Sequence, residues 1–498
     1  MMGPQQGSDQ SLFHYGFNLE DRIRPDHPLR AIRKAIDFSF IRSLVKDLYG
    51  RRGNPSVDPI VVLKMMFLLF YYQVPSERAL LAQMPERLDW LWFCGYDIDD
   101  VVPNHSVISK ARKRWGPQVF TQFFLRVLDQ CIAAGLVDGS LIHVDASVLT
   151  ADADKSKLQP ALHVVSAELC EKLDDCDDDA YPKLGEKDDT SDDDSPPPGT
   201  PVCPTDPDAR LTRKNGQALL GYKDHRVVDD QNGIITATIT TGATTSEAHV
   251  LGQVLQQHRW NTGRLVETVV ADKGYGTAAN YKALAQQDIA ACIPHQRRRR
   301  VKGKFRQDDF LYDKPTDSYT CPAGRQLNRY TTSADGHRRY RAGKAVCGDC
   351  PIRKKCTTSR DGRRIMRNAD QDWIDWADEC LPQHIRKSLM IRRQIRAEGS
   401  FADAGNNHGY KRARWRGLAN MTIQNLMIAA IQNLRKLLRT GLDRERHIAV
   451  CHAQKAANRP TFASRIVNTA AKILYRAIIL CRQQDIELQL SDRNIVGV

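Results

Sequence analysis

The chain has 498 residues, 41% of them hydrophobic and 27% charged, with a net charge of +14 and a pI of about 9.2. That length allows a main domain plus others. No apolar run approaches the roughly 18 residues of a membrane span, so no membrane-crossing helix is expected. The basic balance favours a polyanionic partner, nucleic acid first, over a merely basic soluble protein. The opening Met1-Met-Gly-Pro-Gln-Gln carries no signal-peptide pattern, so a cytoplasmic location is expected. There the 13 cysteines read as thiols or metal ligands rather than a disulfide framework.

Residues 1–135 read as a helical domain. Asp58-Pro59 caps and opens a helix over 60–72 that is apolar nearly all round, as expected of a domain core. Ser76 caps another. Pro103-Asn-His-Ser106 leads into a helix over 107–115 made basic by Lys110, Arg112, Lys113 and Arg114. Short helices with a capped basic one last suggest a helix-turn-helix-like DNA-binding module; the alternative is a bundle with a solvated basic face.

A strand is predicted over 139–150, then a helix near 158–172. Residues 174–208 are acidic and Pro-rich and predict a disordered loop. Order resumes with two β-rich runs joined at Asn232-Gly233, a hairpin signal. A helix near 247–257, a short buried strand at Val269-Val-Ala271, a helix near 278–287 and a strand at 289–293 follow. Three strands, helix, strand, helix, strand is the order of an RNase H-like mixed-sheet core, an α/β fold in which the first and fourth strands are neighbours. Asp145 lies on the first and Asp272 at the end of the fourth. Residues 136–294 thus read as the first part of a catalytic core. Residues 295–378 are a basic, Cys-containing insertion beginning with Gln296-Arg-Arg-Arg-Arg-Val-Lys302, and 379–440 are core helices carrying Glu398. Residues 441–498 form a helical tail whose apolar pattern lies at 466–480.

Carboxylates at strand ends stand at the rim of a sheet, where ligands bind. Asp145, Asp272 and Glu398 are therefore candidate holders of two divalent ions, magnesium or manganese, which prefer oxygen ligands and lie roughly 4 Å apart in phosphodiester chemistry. Each alone is equally a cap, a turn residue or a solvated charge.

Asp145 within His-Val-Asp-Ala-Ser, Tyr222-Lys-Asp-His225, Ala271-Asp-Lys-Gly-Tyr275, Glu398-Gly-Ser-Phe-Ala-Asp403 and His408-Gly-Tyr-Lys-Arg-Ala-Arg-Trp-Arg-Gly-Leu418 together resemble bacterial insertion-sequence DDE transposases. The Asp58-Pro helix and Pro103-Asn-His-Ser-Val-Ile-Ser109 resemble the helical domain preceding the catalytic core in many of them. The resemblance spans roughly residues 10–440. It implies an RNase H-like fold, magnesium dependence, and cleavage and joining of element-end DNA by Asp145, Asp272 and Glu398. The expected partners are double-stranded DNA, as element ends and as target, and further copies of the chain in a homodimer or higher oligomer. One departure stands out. The family's glutamate helix usually carries a lysine seven residues on, where it returns to the same face; here that position is Gly405, and Arg393, Lys411 and Arg412 are candidate replacements.

Cys321, Cys347, Cys350 and Cys356 have the composition of a four-thiolate structural zinc site, with Cys347-x-x-Cys350 as one half; the alternative is scattered thiols. Lys411, Arg412, Arg414 and Arg416, interleaved with Tyr410 and Trp415, suit contact with DNA phosphates and bases. Two other functions remain open: a sequence-specific DNA-binding protein with an inactive core, which Gly405 favours, and a nuclease without strand transfer.

Overall fold

A computed structural model describes Met2 and residues 18–440, apart from 51, 53, 161–199, 215, 296–302 and 335. The basic run 296–302, the tail helix at 466–480, most of the helix expected at 158–172 and most of the acidic stretch lie outside the described residues. Where that helix was expected to begin, Gln159–Pro160 instead pairs as a short strand with Pro201–Val202.

The amino-terminal part is helical. Its centre is α1, Pro59–Tyr71, with ten buried residues. The Asp58 carboxylate accepts a hydrogen bond from the Ile60 N–H at 3.1 Å and pairs with Arg42 at 2.9 Å. This satisfies one of the N–H groups that a helix start leaves open. The basic helix expected to stop at Trp115 runs on as α2, Ser106–Ala133. Gly116 breaks it with a positive φ of 64° just before Pro117, a conformation that favours glycine.

The sheet follows. β1 is Leu141–Thr150, β2 Gln217–Asp229 and β3 Ile235–Gly242; helix α3, Glu247–Thr262, leads to β4, Thr268–Ala271; helix α4, Ala278–Ala285, leads to β5, Ala290–Cys292. β2 pairs antiparallel with β1 and with β3, and β4 lies parallel to β1 and β5 parallel to β4. The spatial order is therefore β3-β2-β1-β4-β5, and a further strand, Arg210–Lys214, pairs with the start of β2. Val144, Val227, Val269 and Ala271 are fully buried, because a sheet covered on both faces needs apolar residues on both.

A second, antiparallel sheet of five strands follows: β6 Leu311–Asp313, β7 Ser318–Thr320, β8 Gln326–Thr332, β9 Arg338–Arg341 and β10 Arg364–Arg367. It has its own small core around Phe310, Tyr319, Leu327, Tyr340 and Ile365. The chain then forms helix α5, Gln383–Arg393, a π-helical turn, Gln394–Glu398, α6, Gly399–His408, and α7, Leu418–Arg439.

The last of these joins the helical part to the sheet in one hydrophobic core, which holds Phe67, Phe120, Val228, Ile235, Met427 and Ile431 together. Its amides seat it on the sheet. Asn433 gives a hydrogen bond to the Ile235 carbonyl at 2.7 Å and takes one from the Ile235 N–H at 2.8 Å, continuing the ladder where β3 begins. Asn425 donates to Thr240 at 2.8 Å. Asn433 thus pairs both backbone groups of Ile235, as buried backbone polar groups require. Part of the acidic stretch is also folded, contrary to the expectation of a disordered loop. Asp206 is fully buried, accepts from the Tyr222 hydroxyl and accepts from the Gly417 N–H at 3.0 Å. Among the described residues no helix is long and apolar enough to cross a membrane.

Candidate active site

β1 and β4 run parallel with Val144 opposite Ala271, so Asp145, in the middle of β1 and paired there with Arg226 of β2, stands beside Asp272, which leaves the end of the shorter β4. The Asp272 carboxylate accepts from the Gly274 N–H at 2.6 Å, which folds the chain back toward α4. Glycine at 274 leaves room for the Glu247 carboxylate, which a Cβ there would push aside. Glu247 stands at the start of α3 and pairs with Lys223 of β2 at 3.4 Å. Burial raises its pKa, Lys223 lowers it and Asp272 raises it again.

Glu398 closes the π-helical turn. Such turns insert one residue and re-aim the next side chain. Three arginines tie this segment to the sheet: Arg392 pairs with Asp230, Arg396 donates to the Gln231 carbonyl at 2.9 Å, and Arg393 bridges two of the candidates. Its Nη1 lies 3.2 Å from Asp145 Oδ2 and its Nη2 2.7 Å from Glu398 Oε1. The Asp145 side chain is 15% exposed and that of Glu398 51%, so the first carries a desolvation penalty. Burial pushes the Asp145 carboxyl up to about 6; Arg393 and the Ala146 N–H pull it down, and Asp272 and Glu398 push it up.

The expectation that the three carboxylates meet at metal-bridging distance needs correction. They gather at one end of the sheet, close enough for Asp272 and Glu398 to shift Asp145. Yet among the described residues no three His, Cys, Asp or Glu side chains stand within reach of one metal ion. The reason is local: the Arg393 guanidinium fills the gap between Asp145 and Glu398. The donors themselves are hard oxygens, the kind magnesium and manganese take, so the residue set fits these ions once Arg393 withdraws.

The raised Asp145 pKa has a stability consequence. A carboxyl whose folded pKa exceeds its ordinary 3.8 favours the folded state below about pH 4, and that contribution is lost as pH rises through about 6. At pH 8 the ionised group disfavours folding by on the order of 3 kcal/mol, at 1.36 kcal/mol per pKa unit. Asp145→Asn keeps the shape and removes the charge. It is expected to raise the urea midpoint of the metal-free protein at pH 8, with a smaller gain at pH 5. An equal shift at both pH values, or a loss at pH 8, rules out burial of this charge as the cause.

The cations expected to bind DNA divide into two groups. Lys110, Lys113 and Arg114 are exposed on α2, with Arg114 over the Tyr49 ring. Lys411, Arg412 and Arg416 are exposed as well, the two arginines pairing with Asp152 at 3.6 and 3.2 Å. Two residues are corrected. Arg112 is buried: it pairs with Glu77, donates to Asn420 at 3.0 Å and stacks 3.9 Å over Trp415. Arg414 also turns inward, giving hydrogen bonds to the carbonyls of Val74 and His408; burial brings its pKa down to about 10. Both join α1 or α2 to the segment around α7, so neither guanidinium faces a ligand.

Cys321, Cys347, Cys350 and Cys356 line one pocket beside the second sheet. The Arg325 N–H donates to Cys321 Sγ at 3.3 Å. Burial pushes the Cys356 thiol up, Arg363 pulls it down, and the other three cysteines push it up. The sulfurs are gathered, but no three lie in the tight tetrahedral spacing expected of a zinc site.

The pairing of strand carboxylates with a glutamate helix makes comparison with known proteins informative. Residues 17–114 match a family described as Transposase domain (DUF772), and residues 320–438 match one described as Transposase DDE domain. Two stretches of the chain are thus similar to transposase domains. The chain is 30% identical over 82 residues to YncI of Escherichia coli strain K12, a protein named as a transposase, over 16% of this chain and 32% of that one. The YncI of Escherichia coli O157:H7 matches to the same extent over 20% of its length. The chain thus spans a third or less of these relatives. A cryo-EM structure of a piggyBac transposase synaptic complex with hairpin DNA aligns over 85% of this chain and 84% of that one, at 10% identity and a TM-score of 0.25, a superposition too loose to argue from.

Proposed function

We propose that this chain binds the ends of an insertion element and cuts and joins DNA there. The observation that carries this reading is the placement of Asp145, on β1, beside Asp272, at the end of the parallel strand β4, with Glu398 linked to Asp145 through Arg393. The strand order β3-β2-β1-β4-β5 supports an RNase H-like core. In this reading Asp145, Asp272 and Glu398 hold magnesium or manganese, which when bound activates the attacking oxygen and steadies the leaving one. Arg393 holds two of these carboxylates together in the metal-free protein and offsets their charge. Residues 1–135 serve as the DNA-binding domain, through Lys110, Lys113 and Arg114, and the chain acts as a homodimer or higher oligomer on double-stranded DNA.

The test incubates purified protein and magnesium with a plasmid carrying the element ends. Nicked or excised ends together with joined products are expected. Cleavage without joining supports the nuclease reading instead, and binding without cleavage supports an inactive binder.

The finer cofactor proposal concerns zinc. A tetrahedral ion with Zn–S bonds near 2.3 Å would draw Cys321, Cys347, Cys350 and Cys356 together, and their shared pocket supports that. Elemental analysis of protein purified without chelator is expected to give about one zinc per chain, and Cys350→Ser to lose it with a lower melting temperature. Metal-free protein with an unchanged melting temperature in Cys350→Ser would falsify the assignment.

A further inference from the structure

Gly405 lies seven residues beyond Glu398, two turns along a helix with 3.6 residues per turn, so both share a face. Glycine leaves that face bare at 405. The space is filled by Lys411: a Cβ built on Gly405 would stand 3.0 Å from Lys411 Cε, 3.6 Å from Cγ and 3.7 Å from Cδ. The aliphatic stem of Lys411 is therefore laid across the helix at this point.

Two constraints put it there. Gly409 ends α6 with a φ of +63°, turning the chain back along the helix. The returning segment then pairs with the end of β1: the Thr150 N–H donates to the Lys411 carbonyl at 3.1 Å, and the Ala413 N–H to the Thr150 carbonyl at 2.8 Å. The backbone of Lys411 is thus anchored to the strand that carries Asp145, and its side chain lies on the helix that carries Glu398. Lys411 is exposed, and among the described residues no ion pair or hydrogen bond engages its amine. The neighbouring cations are committed: Arg393 to the carboxylates, Arg412 and Arg416 to Asp152, and Arg414 to the interior.

We propose that Lys411, seated over Gly405, is the phosphate-binding cation of the site. It would hold a DNA backbone phosphate beside the bond on which the carboxylates act. Gly405 then serves as the seat: a Cβ there would press the lysine stem by a few tenths of an ångström, and a side chain as large as leucine would displace it. A flexible lysine loses considerable rotamer freedom on ordering; a seat that already confines its stem reduces the loss remaining when phosphate binds. The inference rests on the reading of Asp145, Asp272 and Glu398 as the reacting centre.

The test uses full-length protein with Lys411→Ala, Gly405→Leu and the transfer variant Gly405→Lys/Lys411→Ala, each checked for an unchanged melting temperature. One readout needs no activity. Titration of plain duplex DNA across salt concentrations should give a log–log slope shallower by about 0.9 for Lys411→Ala, one phosphate contact fewer. The second is cleavage of end DNA, expected to fall roughly a hundredfold in Lys411→Ala, to fall similarly in Gly405→Leu, and to recover most of that loss in the transfer variant. A merely structural lysine would not be rescued from another position. An unchanged salt slope in folded Lys411→Ala overturns the proposal, as does a transfer variant no more active than Lys411→Ala. If the wild-type protein does not cleave, the reading of the reacting centre fails and the salt slope still decides whether Lys411 grips phosphate.

Discussion

Asp272→Ala is expected to lose DNA cleavage by roughly a thousandfold or more, as removal of one member of an interdependent catalytic set does, while binding end DNA within a few fold of wild type. The first half follows from position. Asp272 leaves β4 beside Asp145 on β1, and its carboxylate is oriented by the Gly274 N–H at 2.6 Å; no other residue of that turn, Lys273–Tyr275, carries a carboxylate to take its place. Glu247 is the nearest substitute, but its carboxylate is engaged by Lys223 at 3.4 Å. The second half follows from the physics of DNA affinity, which comes mainly from phosphate contacts and counterion release. Those contacts are assigned to cations on other elements, Lys110, Lys113 and Arg114 on α2 and Lys411 after α6. Loss of the Gly274 hydrogen bond should cost about 1 kcal/mol, as for a lost cap, so the melting temperature separates a chemical defect from unfolding. Cleavage retained in a folded Asp272→Ala protein sinks the assignment of this carboxylate. The same assay on Asp145→Ala and Glu398→Ala should give losses of the same order that do not add in double variants.

The placement of Asp145 and Asp272 on neighbouring strands was legible in the sequence because the apolar residues around them read as strands, and because Asn232-Gly233 marks the hairpin that sets the strand order. What was not legible shares one cause: charge and polarity say that a side chain needs a partner, not which way it faces. Arg112 and Arg414 read as surface cations yet turn inward, since Glu77 and backbone carbonyls far away in sequence await them. Asp206 read as part of a solvated loop yet is buried under Tyr222 and Gly417. Arg393 was noted only as a spare cation, and its place between Asp145 and Glu398 depends on the packing of α5 against the sheet. Glu247 carried no signal beyond its place at the start of a helix, where acidic residues are common for reasons of helix polarity alone.

The largest stability effect is expected at Arg226, which lies opposite Asp145 in the β1–β2 register. Arg226 and Asp224 are both fully buried and paired at 2.8 Å. The guanidinium also donates to Gln432 at 2.9 Å and Ser400 at 3.2 Å and lies 4.7 and 4.8 Å from the ring centroids of Phe401 and Tyr410. Asp224 accepts in turn from Thr238 at 2.5 Å and from the Tyr410 hydroxyl at 3.1 Å. Removing one member of a buried ion pair strands the other charge and costs about 3–5 kcal/mol, whereas replacing both with groups that pack can be neutral. Arg226→Met should therefore lower stability by roughly that amount, and Asp224→Asn/Arg226→Met should recover more than half of it. The pair also bears on the site. Ser400 is two residues past Glu398, and Gln432 holds the Ser400 carbonyl at 2.8 Å, so this buried arginine fixes the first turn of α6 against the sheet. In the double variant, where stability is largely restored, cleavage is expected to remain depressed about tenfold, since misplacing a reacting group by about 1 Å costs up to a hundredfold. Urea unfolding of the three proteins, together with cleavage by the double variant, separates the two roles. Equal stability losses in single and double variants would show that the ion pair is not what holds this region together, and wild-type cleavage by the double variant would free Glu398 from dependence on it.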